Sequence, residues 1–114
     1  MIKIHVERDS VCMGDDATAP NAESFFFAPN EPIDVLMQSL CGYVPQMKNV
    51  VWEIFCSNTA IGYILSDDTG RYQYEILGSV RIISELPTGK IFCKYHYENL
   101  EDFIEGFSTV NGKR

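Results

Sequence analysis

Residues 2–7 alternate, with Ile2, Ile4 and Val6 on one side and Lys3, His5 and Glu7 on the other. That period of two predicts a half-buried strand. The aromatic run ESFFFA at 23–28 stops at PNEP and reads as a second strand. The period then lengthens: Ile33, Leu36, Met37, Leu40, Cys41 and Val44 form one apolar stripe at helical spacing. Asn30 is placed to cap this helix, Glu31 and Asp34 suit the positive end of its dipole, and Gly42 with Pro45 should stop it.

Period two returns after Pro45. VVWEIFCS and AIGYILS flank NT and predict a hairpin, and RYQYEIL follows across DDTG with Tyr72, Tyr74 and Ile76 facing one way. SVRIISEL and KIFCKYHY flank PTG and predict another hairpin, so that five strands follow the helix as a meander. Asn99 is placed to cap a short C-terminal helix with Leu100, Phe103, Ile104 and Phe107 on its apolar side, and 108–114 reads as a frayed tail. The expected fold is α+β: one domain over 1–114, a mostly antiparallel sheet of about six to seven strands, and one main helix packed on a face. The element order β-β-α-β-β-β-β-β resembles that of a β-grasp sheet. Ubiquitin-like modifiers and sulfur carriers share this order but end in a di-glycine, whereas this chain ends NGKR. Ferredoxins of that fold need closely spaced cysteines, and Cys12, Cys41, Cys56 and Cys93 are scattered.

Composition narrows the classes further. Sixteen acidic and nine basic residues give a formal charge of −7, a field that repels phosphate backbones and anionic lipid headgroups. Nucleic acid and membranes are therefore not expected partners, and a basic protein is. No apolar run approaches the roughly 18 residues of a membrane span and the start lacks a secretory pattern, so a cytoplasmic location is expected. The cysteines lack C-x2-C pairs and read as buried free thiols.

The acidic connection from 8 to 22 is long for a compact domain, and such loops tend to carry function. Glu7, Asp9, Asp15, Asp16 and Glu23 are hard-cation ligands by type, but their spacing does not match an EF-hand, and no metal or cofactor site is expected. Acidic neighbours also suppress the thiolate of Cys12. Asp67-Asp68-Thr69-Gly70 contains the Asp-Thr-Gly of aspartic proteases. Those enzymes bury the aspartate behind an apolar pair, whereas here Asp68 follows Asp67 and Arg71 follows Gly70, which predicts an ordinary turn. His5 and His96 could meet as a proton-transfer or ligand pair if the first and last strands are neighbours. Trp52 and the six tyrosines either stiffen strands or form an exposed interface.

With no catalytic constellation in the chain, the expected function is a non-catalytic protein-binding domain, an acidic inhibitor or toxin-immunity type that occludes a basic protein partner. Asp9, Asp15, Asp16, Asp67, Asp68, Glu98, Glu101, Asp102 and Glu105 are the expected partner-binding residues, steering and pairing with lysine or arginine. The alternative is a small metal-dependent or acid/base enzyme using His5, His96 and the loop carboxylates. A homo-oligomer is compatible with either.

Overall fold

A computed structural model describes residues 1–9 and 22–96. They form a small α+β domain with one helix and a six-stranded, curled, mixed sheet. The strands are β1 (Ile2–Arg8), β2 (Ala22–Phe27), β3 (Val51–Cys56), β4 (Thr59–Ser66), β5 (Tyr72–Ile76) and β6 (Lys90–His96), and the helix is α1 (Ile33–Tyr43). The order across the sheet is β2-β1-β6-β3-β4-β5. Only β1 and β6 run parallel, and every other neighbour is antiparallel.

The period-two pattern translates directly into two faces. Ile4 and Val6 of β1, Phe27 of β2, Trp52, Ile54 and Cys56 of β3, Ile64 of β4 and Ile91 and Cys93 of β6 are buried in one core. Over them lies α1, whose buried residues are Ile33, Leu36, Met37, Leu40 and Tyr43. Gly62 faces Met37 beneath this helix: a Cβ there would stand 2.5 Å from the Glu75 carbonyl oxygen and 2.8 Å from Met37 Cε. Any side chain at 62 would therefore have to displace backbone. A bulge between Ile54 and Phe55 leaves Ile61 outside the regular pairing, and its side chain is buried nonetheless.

Three expectations need correction. SVRIISEL is not a strand: it makes a single bridge, Pro32 to Ile82, followed by a 3-10 turn at Ile83–Glu85. The Glu85 carboxylate accepts from Arg81 N at 2.7 Å and so closes a turn where a ladder would need extended backbone. Ile83 is buried and its N–H donates to the Glu31 carbonyl at 2.9 Å, while Ile33 N at the start of α1 donates to the Arg81 carbonyl at 2.9 Å. The five-strand meander is consequently three strands, after which β6 crosses back to lie between β1 and β3. The ends of α1 also differ: Pro32 occupies the N-cap position without a side-chain bond, and the helix runs through Gly42 to Tyr43. Asn30 is not the cap; Glu31 instead folds back to accept from Ala28 N at 2.7 Å. The expected C-terminal helix and the tail at 108–114 lie outside the described residues. Among the described residues, no helix is long and apolar enough to cross a membrane.

Candidate functional site

The register fixes which residues share an end of the sheet. At one end β1 finishes at Arg8 beside Cys93, β2 begins at Ala22 opposite Glu7, β3 begins at Val51 opposite His96, and β4 finishes at Ser66. The chain leaves β1 after Asp9 and rejoins the sheet at Ala22 there, and it leaves β6 after His96 there too. Both acid-rich stretches are thus tethered at this end, the first holding Asp15 and Asp16 and the second Glu98, Glu101, Asp102 and Glu105. Those six carboxylates themselves lie outside the described residues.

Of the expected partner-binding residues, Asp9, Asp67 and Asp68 are described, and all three sit at this end. Asp9 is tied into the sheet, its carboxylate accepting from Tyr95 N at 2.9 Å while its own N–H donates to the Cys93 carbonyl at 3.0 Å. Asp67 organises the turn between β4 and β5. Its carboxylate accepts from the Thr69 backbone N–H at 2.8 Å and from the Thr69 hydroxyl, and its carbonyl accepts from Gly70 N at 3.0 Å. Gly70 closes the turn at φ 83°, in the left-handed region that glycine tolerates. The hydrogen bonds from Thr69, above all the one from its hydroxyl, hold the Asp67 carboxyl below its ordinary value. Asp68 is exposed, and the exposed Lys48 packs beside Gly70 of the same turn. The DDTG motif is therefore a wet turn.

Below this end the interior is partly polar. Arg8 is 3% exposed and donates from Nη1 to the Asp9 carbonyl at 2.9 Å. Beside it the Cys93 thiol is pushed up to about 12, chiefly by burial. Tyr43 has a buried hydroxyl with no hydrogen-bond partner among the described residues, and burial also raises its pKa. A thiol held so firmly protonated is no nucleophile. Cys41, Cys56 and Cys93 are all free thiols.

The two histidines do not meet. β1 and β6 are neighbours, but His5 stands opposite Lys90, six positions before His96 on β6, a separation of about 20 Å along the strand. Each imidazole has its own carboxylate: His5 Nε2 lies 3.0 Å from Glu7, and His96 Nε2 lies 2.7 Å from Glu53. Among the described residues, no three His, Cys, Asp or Glu side chains gather as a metal-binding group.

The aromatic side chains resolve mostly into core. Trp52 is fully buried against Tyr95, with ring centroids 5.2 Å apart. Tyr72 donates to the Pro45 carbonyl, and Tyr74 donates to the Asp34 carboxylate at 2.8 Å, which fastens β5 to α1. The exposed large apolar side chains include Phe26 and Phe92, which point from the sheet face opposite the helix. Sequence reasoning missed them as surface groups. The available signal was KIFCK, where Phe92 occupies a position that strict alternation assigns to a polar residue.

No protein-family model, no curated protein and no solved structure matches this chain.

Proposed function

We propose that this chain is a non-catalytic protein-binding domain of the acidic inhibitor or toxin-immunity type, using one end of its sheet to occlude a basic protein. The observation that carries the reading is topological. The strand order brings Asp9, Asp67 and Asp68 to the end from which the segments bearing Asp15, Asp16, Glu98, Glu101, Asp102 and Glu105 depart. Carboxylates tethered together concentrate a negative field over one surface, which accelerates encounter with a positive one. The turn supports such a role, because Asp67 holds the backbone while Asp68 remains exposed to a partner. In this reading the element order is β-grasp-like, with the apolar stripe at 100–107 as a short C-terminal helix.

Salt titration of binding to a lysine decamer tests the proposal. Affinity should fall at least tenfold between about 20 and 150 mM salt, as the Debye length shortens from roughly 20 to 8 Å. An affinity indifferent to salt would remove the electrostatic basis. A second reading, acid/base chemistry, is favoured by one contact, the 2.7 Å pair of His96 and Glu53, whose side chains are only 15% and 19% exposed. A substrate turned over by the wild type and not by His96→Gln would establish it.

A further inference from the structure

The opposite end of the sheet has a different chemistry. On the face away from α1, two adjoining depressions of about 470 and 690 Å³ share His5, Ser57 and Lys90. The first continues over Phe55 and Phe92, and the second over Lys3, Thr88 and Gly89. We propose that this groove is a binding site for a small organic anion, a phosphate or carboxylate carried on a flat apolar body, and the inference stands apart from the protein-binding reading.

Three features on different strands converge. Phe92 of β6 and Phe55 of β3 are a cross-strand pair on the open face, and Phe92 remains 37% exposed in the middle of the sheet. An apolar side chain on a central strand normally finds cover, and this pair offers ring surface for a flat body. Lys90 precedes Phe92 by two residues on the same face, and Lys3 lies at the mouth of the second depression, so two ammonium groups flank one end of the ring platform. The anionic group in the lining is Glu7, and it already faces His5 at 3.0 Å. Two lysines against this one carboxylate leave the lining with a net positive charge. The Ser57 hydroxyl lines the same end and supplies a neutral donor, while the Thr88 hydroxyl accepts from Lys90 N at 3.1 Å and helps to fix the start of β6.

The backbone fixes this end. Gly89 sits so close to β1 that a Cβ would stand 2.8 Å from the Lys3 carbonyl oxygen, and its own carbonyl accepts from His5 N at 2.7 Å. Cys56 beneath the groove donates its thiol to the Thr88 carbonyl at 3.5 Å. The turn carrying Thr88 and Gly89 is thereby held against both flanking strands, and the cations are presented from a fixed frame.

The volume and lining select the ligand class. A pocket of a few hundred Å³ suits a small molecule. A rigid, two-part recognition surface of rings and ammonium groups matches an anion with a ring-sized body better than either part alone. A chain of net charge −7 gains nothing from such a patch in general steering, so its use is local and short-ranged.

Amide shifts in a proton–nitrogen spectrum of the full chain test this, with phenyl phosphate as probe. Shifts should be confined to the Lys3–Glu7, Phe55–Ser57 and Thr88–Phe92 stretches. Inorganic phosphate and benzyl alcohol should each bind at least tenfold more weakly, because each lacks one of the two parts. Lys3→Gln with Lys90→Gln should weaken phenyl phosphate about tenfold, the effect of losing roughly 1.4 kcal/mol of charge pairing. Phe92→Thr should weaken it while leaving the inorganic phosphate response unchanged. All these variants alter exposed positions on the open face, and an unchanged spectrum away from the groove verifies that they fold. Scattered shifts, equal binding of all three probes, or indifference to the lysine variants would overturn the proposal. A glutamate decamer that shifts these amides where phenyl phosphate does not would overturn it in favour of an acidic protein segment.

Discussion

The two ends of this sheet are made by the same strands and do opposite things with charge. At the end where β1 and β6 finish, the carboxylates of Asp9 and Asp67 are spent partly on the backbone, accepting from Tyr95 N and Thr69 N. Ser66 Oγ accepts from Val50 N at 3.1 Å in the same region, with the serine fully buried. At the other end Lys3 and Lys90 project beside exposed ring surface. The lesson is that the polar side chains of Asp9, Asp67 and Ser66 at the first end hold the backbone, whereas the ammonium groups of Lys3 and Lys90 at the second stand on exposed residues. Substitutions should therefore separate: stability at one end, ligand affinity at the other.

The largest effect should come from breaking the scaffold that both ends share. Gly62→Ala forces its Cβ against the Glu75 carbonyl and Met37, and it should cost about 3 kcal/mol, at the upper side of overpacking penalties, as read by chemical denaturation. Next is Ser66→Val, which leaves the Val50 N–H without its hydroxyl acceptor in a buried site and should cost about 2 kcal/mol. Asp9→Ala removes the acceptor of Tyr95 N and should cost about 1 to 2 kcal/mol, lowering the melting temperature by several degrees. Lys3→Gln and Lys90→Gln should leave the melting temperature unchanged within about a degree. If they destabilised as much as Asp9→Ala, the contrast between the ends would fail.

The smallest effect is a pH dependence. Asp67 has its carboxyl lowered in the fold by the Thr69 hydroxyl and backbone N–H, so its contribution is present above the ordinary carboxylate value near 3.8 and is lost as pH falls through the lower folded value. Thr69→Ala should remove the hydroxyl's share of that contribution, lowering the melting temperature slightly at neutrality and letting the two profiles converge on the acid side below about pH 4, so that the variant's acid limb is flatter. A difference from the wild type that persisted undiminished at the acid end would assign Thr69 some other role.

Much of this architecture is legible in the chain because it follows from local period. The alternation of Ile2, Ile4 and Val6 and the stripe from Ile33 to Leu40 each describe one element facing one core. What is not legible is set across elements. Glu85 turns 81–86 away from a strand by bonding to nearby N–H groups, and nothing in the apolar pattern of SVRIISEL distinguishes that outcome. The return of β6 between β1 and β3 depends on long-range pairing. So does the separation of His5 from His96, since adjacency of strands leaves register open. Composition leaves Trp52, Tyr72 and Tyr95 open between strand packing and an exposed interface; they pack inward because Trp52 and Tyr95 share the phase of Ile54 and Cys93 and Tyr72 pairs with the buried Ser66. The carboxylate segments are visible in the sequence, but their attachment to a common end emerges only from the strand directions.

The most direct test of the central claim is to record amide shifts of the full chain with a lysine decamer at low salt. The account requires the largest shifts at Asp9, Asp67, Asp68 and Thr69 and in the acid-rich segments joined there, with Lys3, His5 and Lys90 unmoved. Shifts centred on the lysine-bearing end, or spread evenly over both, would contradict it.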